Sequence, residues 1–407
     1  MQLSYTLEMK IVKPTYLIVD FSAGSIVTHH LNYVVTYAKF IENSGYTVKL
    51  VLPKYTPNDK SLNDFKVFRV LQSREYRINQ SRISILRIYH FFIKSNNVYG
   101  KILEYMIGRI TIKIYLLLAM KELIKIVRLE TSECAIIFPS ADLMAIRFMD
   151  MLLNKKINIK AFFVRINAVD KNLINKDLRL DGLMLLDRLL GSNKKIYIGC
   201  ETKSLIRSLR KRGEIYNNVC WIPLPSVSRI GSSKNRNVIG FLGGAKKRKG
   251  FDEIPQWIAK IKSVNPDALF IIQTSPFPWP GYEKTIKALN QFNNIELISP
   301  VINNEELFKQ ISRCSYMITP YNKESYTLVG SSIFYYASDF LIPTISYNDL
   351  GFSDDIFEYQ CGILVENMSE NFEVDLFNHE TREKLVNKLI GYNGFRNSQN
   401  LLFLKLI

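Results

Sequence analysis

The sequence lacks the residue patterns that mark several common kinds of site. It has five cysteines but no C-x-x-C pair, so neither a zinc site nor a disulfide framework is predicted, and buried free thiols are expected. It has only four histidines. No carboxylate cluster of the D-x-D kind is evident in the predicted cleft, since Asp354 and Asp355 are adjacent in a loop. We therefore predict no metal site.

Long apolar runs are also missing. No uncharged run approaches the ~18 residues that a membrane-spanning helix needs, because charged residues interrupt the longest candidate, 110–127. Residues 1–14 alternate polar and apolar side chains and contain no apolar core of a signal peptide. We expect a cytoplasmic protein that is soluble or lies on a membrane without crossing it.

Acidic residues are scarce in the first half of the chain. Residues 1–225 hold 35 Lys and Arg against 18 Asp and Glu, whereas residues 226–407 hold 19 of each, so the net charge of +17 lies entirely in the first half. Such asymmetry indicates that the first half meets an anionic surface or polyanion. No helix-turn-helix, RNP-like motif or zinc knuckle supports nucleic acid. A basic, apolar helix at 105–128 favours an anionic membrane surface instead. The alternative for this segment is an ordinary buried helix whose lysines extend to the surface.

Strand and helix patterns alternate along the 407 residues, with strands at 16–21, 47–52, 135–138, 161–166, 195–199 and 220–224, then at 238–242, 268–273, 295–298, 315–319, 342–346 and 362–365. Alternation of this kind predicts an α/β fold of two Rossmann-like, doubly wound parallel-sheet domains facing each other across a cleft. We place the first domain at 1–225, the second at 226–380, and a helical tail that packs back toward the first domain at 381–407. Residues 53–100 give no clear element.

Two strand-to-helix turns in the second half have the composition of a diphosphate site. The first contains Gly243, Gly244, Lys246 and Lys249, and the second contains Tyr321, Glu324, Tyr326, Gly330, Ser331 and Ser332. Glycine lets the backbone approach an anion, and amides at a helix N-terminus point at it. The plainer alternatives are a solvated basic turn, serines that only cap a helix, and tyrosines that only pack.

These turns resemble motifs of GT-B glycosyltransferases, in particular the large retaining family numbered four. Gly243, Lys249 and Gly250 match the glycines and lysine of its G-R-L-x-x-x-K-G turn, and Ala337-x5-Pro343-x-Ile345 matches the end of its E-x7-E region. Two departures stand out. Gly244 replaces the arginine, and Leu328 and Tyr336 occupy the glutamate positions, although Glu324 takes the first position if the loop is aligned from Pro320.

The first domain offers fewer candidates. Gly24 and Ser25 form a small-residue turn after the first strand, interpreted as an acceptor-side loop, and His29 or its neighbour His30 is a candidate acceptor contact. Arg165 and Asn167 follow a strand at the position where the family often has a histidine. They can hydrogen-bond a sugar or phosphate but are poor general bases. Asp142 is a further candidate, and a helix N-cap role is at least as good an interpretation of it.

The resemblance implies a metal-independent, retaining glycosyltransferase without a cofactor, whose co-substrate is a nucleoside diphosphate sugar. The acceptor would be a membrane-associated glycan, such as a polyprenyl-diphosphate-linked one, used in bacterial surface polysaccharide assembly at the inner face of the cytoplasmic membrane. Two alternatives stay open. One is a catalytically silent scaffold that binds a partner transferase or a polysaccharide. The other is a nucleotide-sugar epimerase of the same fold.

Overall fold

The computed structural model describes residues 13–23, 29–71, 98–167, 174–175, 180–192, 195–229, 237–274, 279–367 and 374–406. Within these ranges the N-terminal sheet has seven parallel strands: β1 (Thr15–Val19), β2 (Thr47–Pro53), β3 (Lys66–Leu71), β4 (Cys134–Phe138), β5 (Ile159–Ile166), β8 (Ile196–Cys200) and β9 (Cys220–Trp221). Their spatial order is β3-β2-β1-β4-β5-β8-β9. The short strands β6 (Ile174–Asn175) and β7 (Leu180–Asp181) form a separate antiparallel pair.

The C-terminal sheet is also parallel. Its strands are β10 (Val238–Phe241), β11 (Leu269–Gln273), β12 (Ile295–Ile298), β13 (Tyr316–Thr319), β14 (Thr344–Tyr347) and β15 (Gly362–Val365), in the order β12-β11-β10-β13-β14-β15. Every residue of β1, β4, β10 and β13 is buried, as continuous apolar runs covered on both faces require. The predicted α/β class with two parallel sheets is confirmed.

Helices flank both sheets. In chain order they are α1 (His29–Asn43), α2 (Val98–Arg128), α3 (Leu143–Leu153), α4 (Gly182–Ser192), α5 (Lys203–Arg210), α6 (Ile254–Val264), α7 (Tyr282–Leu289), α8 (Asn304–Ser312), α9 (Lys323–Tyr326), α10 (Ser332–Asp339), α11 (Ser353–Tyr359) and α12 (His379–Leu404). Side-chain oxygens of Asp142, Thr202 and Ser331 accept hydrogen bonds from first-turn amides of α3, α5 and α10. In the described parts of the chain, no helix combines the length and apolar character that crossing a membrane requires.

One strand lies in the segment that the sequence left unassigned. β3 pairs with β2 at the edge of the N-terminal sheet and is only partly buried, with Lys66 and Arg69 interrupting its apolar residues. Because an edge strand is not covered on every side, it does not need the continuous apolar run that identified the central strands.

The order of strands reverses at one place in each sheet. In the N-terminal sheet the reversal falls between β1 and β4, and in the C-terminal sheet between β10 and β13. Crevices open at the carboxyl ends of strands at such reversals, and ligands of open α/β sheets bind there. The Gly/Lys-rich turn follows β10, and the loop that leads to Gly330 follows β13.

The last helix, α12, connects the two domains. Arg396 forms an ion pair with Asp339 of the C-terminal domain at 3.0 Å, and its Nε donates to the Leu224 carbonyl oxygen at 2.8 Å. Farther along, Phe403 packs edge-on against Phe163 of β5, with ring centroids 4.9 Å apart. The end of the chain therefore lies against the N-terminal sheet.

Candidate functional site

A cavity of about 280 Å³ lies between the two domains, where the carboxyl ends of the two sheets face each other. One wall belongs to the C-terminal domain and the other to the N-terminal domain. The lining residues are Lys246, Arg248, Lys249, Tyr321, Tyr326, Val329, Gly330, Ser331 and Ser332 on the first wall, and His30, Tyr33, Ser140, Asn167 and Glu201 on the second.

The Gly/Lys-rich turn depends on glycine at three positions. Gly243, Gly244 and Gly250 have φ angles of 107°, 88° and 70°, which other residues rarely adopt. At Gly250 a Cβ atom would stand 1.8 Å from the Pro320 carbonyl oxygen, so the turn packs directly on the loop after β13. Gly243 is fixed further, because its N–H donates to Gln273 Oε1 at 2.6 Å. These glycines shape the turn, while its cations line the cavity.

Lys249 is the most enclosed of these cations. Its Nζ donates to the Gly243 carbonyl oxygen at 2.8 Å and lies 5.6 Å from the centre of the Tyr321 ring. Burial, together with the positive charges of Lys246 and Arg248, lowers the pKa of Lys249 to about 7. Among the described residues Lys249 forms no ion pair with a carboxylate. An ammonium group in that position gains most from an incoming anion, since the anion supplies the missing countercharge.

The N-terminus of α10 faces the same space. Ser331 caps the helix by accepting from the Phe334 amide at 3.2 Å, and its hydroxyl lies 3.3 Å from that of Tyr321. Ser331 therefore has the capping role that sequence reasoning offered as an alternative, and it lines the cavity as well. With Gly330 and Ser332 beside it, this helix end presents a partial positive charge next to the lysines. The combination suits a diphosphate.

The opposite wall consists of hydrogen-bonded polar side chains. Asn167 donates from Nδ2 to Ser140 Oγ at 2.8 Å, so the residues after β5 and β4 are tied together. His30 lines the cavity from the first turn of α1, and its Nδ1 lies 3.7 Å from Oδ2 of the buried Asp20 carboxylate at the end of β1. An imidazole backed by a carboxylate can contact a sugar hydroxyl or accept its proton.

Arg165 lies beneath this wall rather than in its surface. It is only 1% exposed, and its guanidinium donates to the carbonyl oxygens of Ile222 (2.8 Å) and Pro139 (3.0 Å) and to Asn167 Oδ1 (2.7 Å). Its Nη2 is 3.0 Å from Glu201 Oε1. The structure thus gives Arg165 the role of holding two lining side chains, whereas sequence reasoning placed it among the groups that act on the substrate.

Solved structures with a similar fold include glycosyltransferases. One is a glycosyltransferase from Rickettsia africae (TM-score 0.59, 13% identity, 97% of this chain and 98% of that one). Another is the catalytic domain of starch synthase IV from Arabidopsis thaliana bound to ADP and acarbose (0.61, 11%, 97% and 99%). A third is the lipopolysaccharide outer core galactosyltransferase WaaB (0.58, 11%, 96% and 100%). The fold is GT-B. No protein-family model and no curated protein matches the sequence.

This result confirms the GT-B architecture expected from the sequence, while membership of the family numbered four stays a prediction. In the GT-B cleft the donor-side residues Lys246, Lys249, Tyr321 and Tyr326 share the cavity with the N-terminus of α10. Glu324 is exposed on α9 and does not line the cavity.

Tyr336, which occupies one glutamate position of the resembling motif, is buried. Its ring packs edge-on against Phe308 with centroids 5.2 Å apart, and it does not line the cavity.

The remaining predicted residues lie at other places. Asp142 caps α3 by accepting from the Ala145 amide at 2.9 Å. Gly24, Ser25 and the side chain of His29 lie outside the described residues. Within the described ranges, no three His, Cys, Asp or Glu side chains are grouped so as to hold a metal ion.

Sequence reasoning missed Glu201. It directly follows β8, it is only 2% exposed, and it lines the GT-B cavity opposite the lysines. The available signal was its position, since a charged residue immediately after a buried parallel strand lies at the edge of the sheet where ligands bind. Thr202, the next residue, links the domains by donating from Oγ1 to the Leu328 carbonyl oxygen at 2.9 Å.

Proposed function

We propose that the protein transfers a sugar from a nucleoside diphosphate sugar to a hydroxyl group of a glycan acceptor. The main support for this proposal is that the two walls of the cavity differ in chemistry. Lys249 and the N-terminus of α10 converge on one wall with groups that suit a diphosphate, and hydrogen-bonding side chains that suit sugars face them across the cleft. Structures of similar fold support this, because one holds ADP and acarbose and another, TarM, holds UDP and α-GlcNAc-glycerol.

In this reaction the acceptor oxygen forms a bond to the anomeric carbon of the donor sugar, and the bond from that carbon to the diphosphate breaks. The acceptor's proton passes to the departing diphosphate, and the resemblance implies that the sugar's anomeric configuration is retained. The protein contributes positioning and charge stabilisation. Lys249 and the amides of α10 stabilise the negative charge that develops on the leaving group, so metal-independent turnover is expected.

The direct test is nucleotide binding by the purified full-length chain. UDP, GDP, dTDP and CMP, together with UDP-glucose, GDP-mannose and dTDP-glucose, are added without metal and in the presence of EDTA, and the melting temperature is recorded. A ligand at ten times its dissociation constant stabilises the folded state by about 1.4 kcal/mol, which corresponds to a shift of roughly 2 °C or more. A shift with one base identifies the donor class, and product formation with that donor establishes transfer.

Two other results would contradict transfer. If a nucleotide sugar binds and is only converted to its epimer, the chain is an epimerase. If none of these nucleotides changes the melting temperature, the chain is a silent scaffold.

The acceptor in this proposal is a lipid-linked glycan of a bacterial surface polysaccharide, met at the inner face of the cytoplasmic membrane. The excess positive charge lies in residues 1–225, the half that contains the sugar-binding wall. On α2, four apolar side chains that are 42% to 54% exposed lie on one helical face: Ile110, Ile114, Leu117 and Leu118. Lys113 and Lys121 are exposed on that face. An exposed apolar stripe with lysines suits the interface of an anionic bilayer.

Vesicle flotation tests this surface. The protein should float with vesicles of phosphatidylcholine and phosphatidylglycerol and remain below with phosphatidylcholine alone. A double variant, Leu117→Ser with Lys121→Glu, should lose most of the binding, while Phe357→Ser, which changes a 78% exposed side chain of the C-terminal domain, should not. Equal flotation of wild type and double variant would remove α2 from the proposal.

A further inference from the structure

The diphosphate site leaves one buried charge of the cavity without a role. Glu201 is only 2% exposed, yet its carboxylate lines the cavity. A carboxylate in such a place costs free energy unless each oxygen is paired. The pairing of its two oxygens therefore shows what the group still lacks.

One oxygen of Glu201 has two close partners. Oε1 accepts from the Tyr33 hydroxyl at 3.2 Å and lies 3.0 Å from Arg165 Nη2. Burial and the Glu201 carboxylate raise the pKa of Tyr33, so the phenol keeps its proton and donates. The main chain is fixed as well, because the Tyr335 hydroxyl of the other domain donates to the Glu201 carbonyl oxygen at 3.1 Å. These contacts hold the carboxylate in one orientation.

The other oxygen, Oε2, has no hydrogen-bond donor among the described residues that surround it. The carboxylate also lies close to the start of α10, since a Cβ atom on Gly330 would stand 2.4 Å from Glu201 Cδ. Gly330 thus allows an N-terminal-domain carboxylate to approach the helix end that suits the diphosphate. Oε2 is left to a ligand that lies next to that diphosphate.

The chemistry of the missing partner follows from the carboxylate. An ionised carboxylate only accepts hydrogen bonds, so its partner must carry O–H or N–H groups. The diphosphate itself is excluded, because it has no proton to offer and is repelled by the negative charge. Two parts of a nucleotide sugar are joined directly to the diphosphate and carry hydroxyl groups, namely the ribose and the transferred sugar. Of these, the transferred sugar must face the N-terminal wall, because its anomeric carbon has to meet the acceptor that we place on that side.

We propose that Glu201 Oε2 accepts a hydrogen bond from a hydroxyl of the donor sugar. This rests on the proposed function and adds to it a sugar-recognition residue supplied by the domain opposite the diphosphate. Arg165 is then a positioning residue that keeps the Glu201 carboxylate aligned. In this chain Leu328 and Tyr336 occupy the two glutamate positions of the family motif, and neither of them lines the cavity. A glutamate from the other domain would therefore supply a contact that these positions do not.

Isothermal titration of Glu201→Gln tests the proposal with matched ligand pairs. The pairs are UDP with UDP-glucose, GDP with GDP-mannose, and dTDP with dTDP-glucose. For the pair that wild type binds, the affinity of the variant for the nucleoside diphosphate should be within about twofold of wild type. Its affinity for the nucleotide sugar should be roughly tenfold to a hundredfold lower, as expected for a lost hydrogen bond to a charged group. A donor that lacks the recognised hydroxyl should bind wild type weakly and lose nothing further in the variant.

The other outcomes overturn the proposal in distinguishable ways. Equal weakening of both members of a pair means that the hydroxyl belongs to the ribose or that Glu201 only supports the structure, and either result overturns the proposal. Unchanged donor affinity with a raised acceptor KM means that the hydroxyl belongs to the acceptor. Wild type that binds no nucleoside diphosphate overturns the proposed function and this inference together. Tyr33→Phe gives a second route if Glu201→Gln folds poorly, because it removes the hydroxyl that orients the Glu201 carboxylate from the wall opposite the diphosphate and should weaken binding of the nucleotide sugar alone.

Discussion

The two walls of the cavity offer a ligand different kinds of groups. The C-terminal wall uses main-chain amides and cations on one short turn and one helix end, with Lys249 and Ser331 as its centre. The N-terminal wall has polar side chains that lie on α1 or follow β4, β5 and β8. The first wall suits an invariant group such as a diphosphate. The second has the variety of donors and acceptors that distinguishes one sugar from another.

The difference also concerns what supports each wall. On the C-terminal side the support is backbone conformation, since the turn needs positive φ at three glycines. On the N-terminal side the support is a buried ion pair, Arg165 with Glu201. Substitutions should therefore damage the first wall through geometry and the second through lost hydrogen bonds, and the expected effects differ in size.

The largest effect is expected at Gly250. Gly250→Ala places a Cβ 1.8 Å from the Pro320 carbonyl oxygen at a φ of 70°, so the turn must move away from its supporting loop. We expect a loss of roughly 2 to 4 kcal/mol in the free energy of unfolding and no measurable nucleotide binding. Chemical denaturation and titration with UDP and GDP measure the two quantities.

The matched control is Gly394→Ala on α12. Nothing lies within 4 Å of the added methyl group there, so the variant should be as stable as wild type or more stable by about 0.5 to 1 kcal/mol. If Gly250→Ala behaved like Gly394→Ala, the C-terminal wall would not depend on its backbone conformation.

The next effect is the loss of charge at Lys249. Lys249→Met keeps the aliphatic chain but removes the ammonium group between Gly243 and the cavity. Affinity for the nucleoside diphosphate should fall roughly a hundredfold, as expected for a partly buried charge that contacts an anion. Lys247→Met is the control, because Lys247 is exposed on the same turn and does not line the cavity. Comparable losses in the two variants would indicate general electrostatic attraction rather than a defined contact.

The pH dependence of donor binding should be smaller and should also belong to the C-terminal wall. Burial and the neighbouring cations lower the pKa of Lys249 to about 7 in the free protein. A bound diphosphate favours the charged form and raises that pKa, so binding takes up a proton. Affinity is therefore highest below pH 7 and falls as pH rises, by up to about tenfold per unit.

A nucleotide sugar such as UDP-glucose suits this measurement, because its diphosphate is esterified at both ends and does not itself titrate near neutral pH. Titrations in buffers of different ionisation enthalpy count the protons taken up. In Lys249→Met the pH dependence should disappear. A slope that survives the substitution would assign the titration to another group.

The same contrast explains what the sequence could predict. The C-terminal wall lies in two short segments whose glycines, lysines and serines are adjacent in sequence. The sequence alone therefore indicated which residues could form it. The buried strands could be predicted as well, because their apolar runs are continuous. The missed strand, Lys66–Leu71, is an edge strand in which Lys66 and Arg69 interrupt the apolar residues.

The N-terminal wall could not be predicted in this way. Its lining residues His30, Ser140, Asn167 and Glu201 are far apart in sequence, and only the order of the strands brings them together. Arg165 illustrates the limit most clearly. Sequence position placed it at the cleft, but the carbonyl oxygens of Ile222 and Pro139, from other segments, hold its guanidinium below the surface together with Asn167 Oδ1.

The smallest effect is expected on the N-terminal wall, at His30. Its imidazole lines the cavity with the Asp20 carboxylate behind it, on the side assigned to the acceptor. Because the resemblance implies that the departing diphosphate takes the acceptor's proton, His30 should position the acceptor rather than act as an essential base. His30→Gln should then raise the acceptor KM about tenfold, leave donor affinity unchanged, and preserve the anomeric configuration of the product. His379→Gln, at an exposed position at the start of α12, is the control. If the enzyme instead inverts the anomeric configuration, and His30→Gln lowers kcat about a thousandfold or more, His30 is the catalytic base. The N-terminal wall would then contribute the larger share of the chemistry.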